Sequence, residues 1–394
     1  MQLWQQRFGR RVRRSVSSAV LSTLMVTTGV FLGLTTSTAG AAPASGSPLV
    51  FGVVATQTGP QGTPEQGGAM QAYADYWNAH GGYKGHKIVV DIVDGSTTAS
   101  QTTAAARQLV ASDNVLAMIQ NYDLQDCLNN TSYYASIPIG VVDAEVGGGC
   151  YNSSVDFPTE PPNGTVGVSV AMKYGIEQGS KSFGLMVPDI PQVNSLTTAM
   201  TAFAAKVHKP LLIKEVPIQA TAADFDAVYA QMKAAHVDEI IPLVLSPSLA
   251  LQEAVTQGFG PANGVRWVFP GLMGTTGPAA LPGAYLLLGA TPWDSTNPAI
   301  VQARKILKSK GVKLDSLAAE GYQAMGILQE TLDTLKGPVT RASVLQALRH
   351  DHHVLLPLTP EYTNPPDANT NAEGGYIEKS VGGQWKLVTG YIQS

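Results

Sequence analysis

Three short runs in this chain have the composition of reactive sites. His350-Asp351-His352-His353 gathers imidazoles and a carboxylate that could ligate a transition metal. None of these residues stands at the H-E-x-x-H spacing that puts two ligands on one helix face, and an exposed polar helix end is the competing reading. Gly147-Gly148-Gly149 leads into Cys150 with no helix after it, so it reads as a turn and not as a phosphate cradle. Gly167-Val168-Ser169-Val170-Ala171 falls inside a predicted helix, whereas a nucleophile elbow needs a strand-to-helix turn. No P-loop and no G-x-G-x-x-G follows a strand. The only cysteines, Cys127 and Cys150, would pair in an oxidising compartment. Such a bond removes a thiol nucleophile and stabilises the fold by about 3 kcal/mol. The expectation is therefore a protein that binds and does not catalyse, with no metal or organic cofactor.

The residues ahead of these runs set the compartment. Arg7, Arg10, Arg11, Arg13 and Arg14 make a basic head without acidic residues; an apolar run follows from Ala19 to Leu34, then Ala39-Gly40-Ala41. This is the three-part pattern of a secretory signal over residues 1–41, cleaved to leave Ala42 first, with an uncleaved membrane anchor as the other reading. The paired arginines suggest twin-arginine export, although the residues after them fit that motif poorly. Removing the five arginines leaves 20 Lys+Arg against 29 Asp+Glu, a net charge of −9. So acidic a chain excludes nucleic acid and anionic membranes as partners, because both require a basic surface. An exported, soluble, monomeric protein is expected, and about 350 remaining residues call for two domains.

The elements that must position any site alternate regularly. Val50–Ala55 reads as a buried strand, followed by the turn-rich Thr58-Gly59-Pro60-Gln61-Gly62 and a helix carrying Ala69, Met70, Tyr73 and Trp77. Strands at Ile88–Val93, Val115–Ile119 and Ile137–Val142 enclose helices at Ala104–Val110 and Thr131–Ala135. A Pro-rich break at Phe157–Pro162 precedes a second series. Its helices are Val166–Ile176, Leu196–Val207, Phe225–Ala235 behind an Asp224 cap, and Leu249–Gln257; its strands are Phe183–Val187, Leu211–Val216, Ile240–Leu245, Val265–Phe269 and Tyr285–Ala290. Three helices return at Ile300–Lys310, Leu317–Leu335 and Ala342–Arg349. Asn364–Asn371 reads as a loop, and Tyr376–Ile392 as short strands about a Gly382-Gly383 turn. Strand-helix alternation of this kind gives parallel sheets, so the fold class is α/β with two Rossmann-like lobes.

At this resolution the chain resembles a known family. Phe51-Gly52-Val53-Val54-Ala55 leading to Thr58-Gly59-Pro60, and Trp77-Asn78 ending in Gly81-Gly82-Tyr83-Lys84-Gly85, are similar to the opening of the branched-chain amino acid (leucine/isoleucine/valine) binding proteins of ABC transporters, with the periplasmic binding protein type I fold. Asp91-Ile92-Val93-Asp94, Ile137-Pro138-Ile139, Leu286–Pro292 and Glu320-Gly321-Tyr322 continue the likeness in order. The resemblance implies a three-crossing hinge. Lobe 1 is expected over 48–160 and 293–360, and lobe 2 over 161–292 and 361–394. It also implies a small-molecule solute closed between the lobes and an ABC permease in the membrane as partner. An extracellular sensor of the same fold without transport, or a secreted enzyme, are the alternatives.

The same resemblance places the ligand at the loops after the strands. In lobe 1 these carry Tyr122 and Asp123, then Asp143, Ala144 and Glu145, where relatives have small hydroxyl residues that hold a carboxylate. In lobe 2 they carry Asp189, Ser246 and Met273, and Glu320 lies on a returning helix. Met273 stands where amino acid binders keep a carboxylate for the ligand ammonium. Acidic loops repel a ligand carboxylate, so a cationic or polar neutral solute is expected in place of leucine, isoleucine or valine. Each residue has a structural role open to it as well: Asp143 and Glu145 as helix caps, Tyr122 as wall packing, Asp189 as a turn residue, Ser246 as a helix start, Glu320 as a surface group.

Overall fold

The computed structural model describes residues 43–393, apart from 59–61, 97, 124, 144–152, 160–164, 191–192, 245, 271–281, 290, 351–352, 355–361 and 364–373. The expected signal, the loop at Asn364–Asn371, Cys150, Ala144, Glu145 and Met273 lie outside the described residues.

The first sheet forms from runs of β-branched residues. Strand β1 (Gly46–Ala55) is fully buried from Phe51 to Ala55, as a strand covered on both faces must be. It is flanked by β2 (His86–Asp94) and β3 (Met118–Asn121), with β4 (Val141–Asp143) and β5 (Asp156–Pro158) beyond, in the order β2-β1-β3-β4-β5. All these pairings are parallel. Helix α1 (Pro64–Ala79) opens with Pro at its first position, where the missing N–H costs nothing. It ends at Gly81 and Gly82, both at positive φ, and Gly82 donates its N–H to the Trp77 carbonyl. A Cβ on Gly82 would fall on the His86 carbonyl oxygen, so only glycine allows the chain to turn back into β2 there.

Helices α2 (Ala99–Arg107, continued by a wider turn over Gln108–Ser112) and α3 (Asp126–Ser136) complete the local units. Two predicted strands prove shorter than expected. Arg341 takes the Val110 and Val115 carbonyls (2.6 and 2.7 Å), which delays β3 to Met118. The Ile137 and Ile139 amides close onto the Tyr134 carbonyl (3.3 and 3.4 Å), which delays β4 to Val141. The Pro-rich segment at Phe157 is corrected too: Asp156–Pro158 is an edge strand, the place in a sheet that tolerates proline.

The second sheet repeats the plan. It contains β6 (Phe183–Pro188), β7 (Leu211–Val216), β8 (Glu239–Pro242), β9 (Arg266–Phe269) and β10 (Tyr285–Leu288), paired in parallel in the order β7-β6-β8-β9-β10. Its helices are α4 (Thr165–Glu177), α5 (Asn194–Lys206), α6 (Ala222–Ala234) and α7 (Pro247–Thr256). Both sheets therefore run second-first-third-fourth-fifth. Helix α6 begins one turn earlier than predicted. Thr221 is its N-cap, and Thr221 donates its N–H (2.8 Å) and hydroxyl (2.7 Å) to Asp224, which is the third helical residue and not the cap.

The rest of the chain is shared between the sheets. Helices α8 (Pro298–Ser309), α9 (Ser316–Thr334) and α10 (Arg341–His350) pack on the first unit: Met325, Leu328, Val344 and Leu348 join the core built on Phe51 and Val53, while Ile300 and Leu307 meet Ala69 and Ala72 of α1. Short strands β11 (His353–Val354) and β12 (Tyr362–Thr363) pair with each other. Strands β13 (Gly374–Val381), β14 (Gln384–Leu387) and β15 (Ile392–Gln393) return antiparallel to the second sheet through β10. Gly382 and Gly383, both at positive φ, form the hairpin turn expected between β13 and β14.

Candidate functional site

In an open parallel sheet the crevice lies outside the carboxyl ends of the strands, where the strand order reverses. That point falls between β1 and β3 in the first lobe and between β6 and β8 in the second. The loops leaving these four strands are the candidate site.

In the first lobe the site is built around the start of α1. Tyr122 follows β3, donates its amide to the Val54 carbonyl (3.0 Å) and is half-buried. Its hydroxyl is buried beside Gln57 and Gly67 and has no well-formed hydrogen bond. Burial pushes its pKa up, so the hydroxyl keeps its proton. A side chain on Gly67 would crowd both this hydroxyl and the Gln57 amide, at 3.0 and 3.2 Å, and glycine there keeps the floor open.

Asp123 lies one residue further on, but the structure turns it inwards. It is fully buried and accepts hydrogen bonds from the Thr56 hydroxyl (3.1 Å), the Thr102 hydroxyl (2.8 Å) and the Gln125 amide (3.0 Å). Three donors from three different segments converge on it, so it fastens the loops after β1 and β3 and does not line the crevice. Glu320 on α9 is held in a similar way. It accepts from Gln66 Nε2 at 2.6 Å, and Gln66 in turn accepts from the Thr63 hydroxyl at 3.1 Å, tying α9 to the first turn of α1. Asp143 ends β4, level with Asn121 of β3, and is buried; its carbonyl takes both the amide (2.7 Å) and the hydroxyl (3.0 Å) of Thr159.

In the second lobe, Asp189 follows β6 and is exposed, with its amide on the Val216 carbonyl (2.8 Å). Ser246 is the N-cap of α7, ahead of Pro247, and its hydroxyl makes no capping bond. Asp189 and Ser246 thus stand on the loops of the neighbouring strands β6 and β8.

Sequence reasoning missed the loop after β1. Asp94, at the end of β2, accepts from the Thr58 hydroxyl, the Gln57 amide (3.1 Å) and the Ser96 amide (3.0 Å). Burial works against its charge, but these hydrogen bonds outweigh it and hold the carboxyl below its ordinary range. The signal was present as Asp94 after a strand and Thr58 before Gly59-Pro60; only the strand order shows that the two loops meet. Gln120 opens the loop that carries Tyr122 and Asp123, although the sequence does not single it out as a contact. It bulges β3 at positive φ and carries a buried carboxamide oxygen without a partner. Among the described residues no group of three or more His, Cys, Asp or Glu side chains could hold a metal ion. Among the same described residues there is no free cysteine, and no helix long and apolar enough to cross a membrane.

Two lobes of identical strand order, exchanging segments at their ends, define a type I periplasmic binding fold. The model of the periplasmic binding protein family matches residues 48–377, and the chain belongs to that family. Solved structures agree. A branched chain amino acid ABC transporter protein from Thermus thermophilus with bound valine superposes with a TM-score of 0.74 at 16% identity, covering 88% of this chain and 97% of that one. A solute binding protein from R. palustris in complex with 4-hydroxybenzoate gives 0.73 at 16% identity, covering 88% and 96%. A fatty acid ABC transporter substrate-binding protein from Thermomonospora curvata gives 0.73 at 18% identity, covering 90% and 95%. No curated protein matches the chain in sequence.

Proposed function

We propose that this protein is the extracytoplasmic solute-binding component of an ABC uptake system, closing its two lobes on a small polar or amino-acid-like solute. The observation that carries this reading is the repeated strand order, which gives each lobe a crevice at the same edge. A ligand touching both crevices favours the closed form, because only that form contacts it from two sides. The closed protein then docks on a membrane permease. A dissociation constant near micromolar, about −8 kcal/mol, suffices for uptake.

The relatives of known structure hold valine or 4-hydroxybenzoate, or are named for fatty acids, so the fold alone does not choose a solute. The acidic residues Asp143, Glu145 and Asp189, with the polar Tyr122, Gln57 and Thr58, favour a cationic or polar neutral solute over leucine, isoleucine or valine. Tyr122, Asp143, Asp189 and Ser246 are assigned to ligand contact, together with Ala144, Glu145 and Met273. Asp123 and Glu320 act one step behind, as fasteners. Lobe 1 takes 48–160 and 293–360, lobe 2 takes 161–292 and 361–394, and residues 1–41 are the export signal. Cys127 pairs with Cys150, in keeping with the lack of a free cysteine among the described residues.

A thermal-shift screen of the protein from Ala42 onward, against amino acids, polyamines, amides, sugars and aromatic acids, tests the reading. A solute that binds the native state raises Tm by mass action. Polar or cationic solutes should do so, and leucine, isoleucine and valine should not. Tight leucine binding would sink the ligand assignment, and turnover of a bound solute would revive the enzyme alternative.

A further inference from the structure

One face of the first sheet carries a layer of buried acids, of which the solute reading uses only Asp143. Residues aligned across parallel strands point to the same side, so Asn121, Asp143 and Asp156 share a face of β3, β4 and β5. Over that face lies α3, with Asp126, Asn130 and Tyr134 in one row four residues apart. Asp126 is wholly buried and accepts from Asn121 Nδ2 (2.6 Å), Asn130 Nδ2 (2.6 Å) and the Tyr134 hydroxyl (2.8 Å). Asp156 is 2% exposed, and neither of its carboxylate oxygens has a hydrogen-bond partner.

Among the described residues no basic side chain pairs with these acids. The charged group acting on Asp156 is Asp126, with the hydroxyls of Ser153 and Thr131 nearby, and the one acting on Asp126 is Asp123. Asp143 and Asp156 both bear on Tyr134. On the next elements, Arg349 of α10 gives its guanidinium to the Ser154 carbonyl (3.2 and 3.1 Å), and Arg107 of α2 lies over the Tyr133 ring at 4.6 Å. A carboxylate this deeply buried with no cation beside it is costly to keep charged, and burial outweighs the neighbouring donors, so the group neutralises by holding its proton.

We propose that Asp126 and Asp156 form a proton-controlled latch on the edge strand β5: protonated, β5 stays docked on β4; ionised, the two carboxylates repel and β5 loosens. Burial raises Asp156 to about 7 and Asp126 to about 6, which places the change near neutral pH. The folded values lie above the unfolded value of about 3.9. The stabilisation is therefore complete below about pH 4 and lost as pH rises through the folded values. Among the described strands β4 alone pairs with the three-residue β5, and Thr159, just past its end, begins the stretch that leads to α4 of the second lobe. The latch thus acts where the chain leaves the first lobe.

Amide hydrogen exchange on the solute-free protein, normalised for intrinsic rates, tests this at the Val141 amide, bonded to the Val155 carbonyl (2.9 Å), and the Thr159 amide, bonded to Asp143 (2.7 Å). Protection there should fall on the order of tenfold between about pH 5.5 and pH 8, with amides of β6 and β8 serving as a control that does not share the change. In Asp156→Asn, which is always neutral, the fall should vanish. In Asp126→Asn its midpoint should move to lower pH, because a like charge is removed. Flat protection in the wild-type protein overturns the latch even if neither variant folds. So does an unchanged fall in Asp156→Asn. Recovery of protection at pH 8 by added calcium alone would assign the layer to a cation and overturn the proton reading.

Discussion

Asp123→Ala separates a fastening role from a ligand role. The substitution removes a fully buried acceptor from three donors: the Thr56 and Thr102 hydroxyls and the Gln125 amide. Thr102 is itself fully buried and Thr56 nearly so, so little water is at hand to replace the lost acceptor. A donor stranded in this way costs about 1 kcal/mol or more, for roughly 3 kcal/mol in all. For a lobe of this size each kcal/mol moves Tm by about 2–4 °C, so a loss of about 6–12 °C is expected. Scanning calorimetry of the solute-free protein reads it directly. Asp123→Asn keeps the shape and one carbonyl acceptor and should lose about half as much. A Tm within a degree of wild type for Asp123→Ala would refute the reasoning, and would return Asp123 to the crevice wall.

Three further outcomes follow from the structure. Gly82→Ala places a Cβ on the His86 carbonyl oxygen at a residue held at positive φ, and should cost about 2 kcal/mol or more, measured by urea denaturation. Arg266 pairs with Glu239 at 3.1 Å, and burial pushes that carboxyl up to about 7 despite Ser180 and Arg266. The stabilisation linked to this raised value is present at low pH and lost as pH rises through about 7. Arg266→Met should therefore destabilise by about 3 kcal/mol near pH 8.5 and by less near pH 6, with the difference abolished when Glu239→Gln is added. Finally, unfolded and non-reduced protein should titrate no thiol if Cys127 and Cys150 are bonded; two reactive thiols would contradict the pairing.

The elements were legible because burial on both faces leaves an unmistakable apolar run, as at Phe51–Ala55 and Phe183–Val187, and because glycine pairs such as Gly81-Gly82 and Gly382-Gly383 mark turns at positive φ that other residues adopt only at a cost. Edges were less legible. Phe157-Pro158 reads as a break by composition, yet an edge strand of three residues tolerates proline. The start of β3 was set by tertiary hydrogen bonds from Arg341, of which local sequence carries no trace, and the start of β4 by local backbone bonds from the Ile137 and Ile139 amides that close α3, which side-chain pattern does not mark. The site was legible only to the level of which loops form it. Position after a strand identifies Asp123, Asp143 and Asp189 equally well, but two of them are buried and one is exposed. Side-chain direction depends on the partners that converge from elsewhere in the chain, as Thr56 and Thr102 do on Asp123.

The central claim is that two lobes close on a solute, and small-angle scattering tests it most directly. The radius of gyration should be measured for the protein alone and saturated with the solute that gives the largest thermal shift. The account predicts a smaller radius with solute bound, and a return to the original value when the solute is dialysed away. An unchanged radius at full saturation, with binding confirmed by calorimetry in the same buffer, would contradict it.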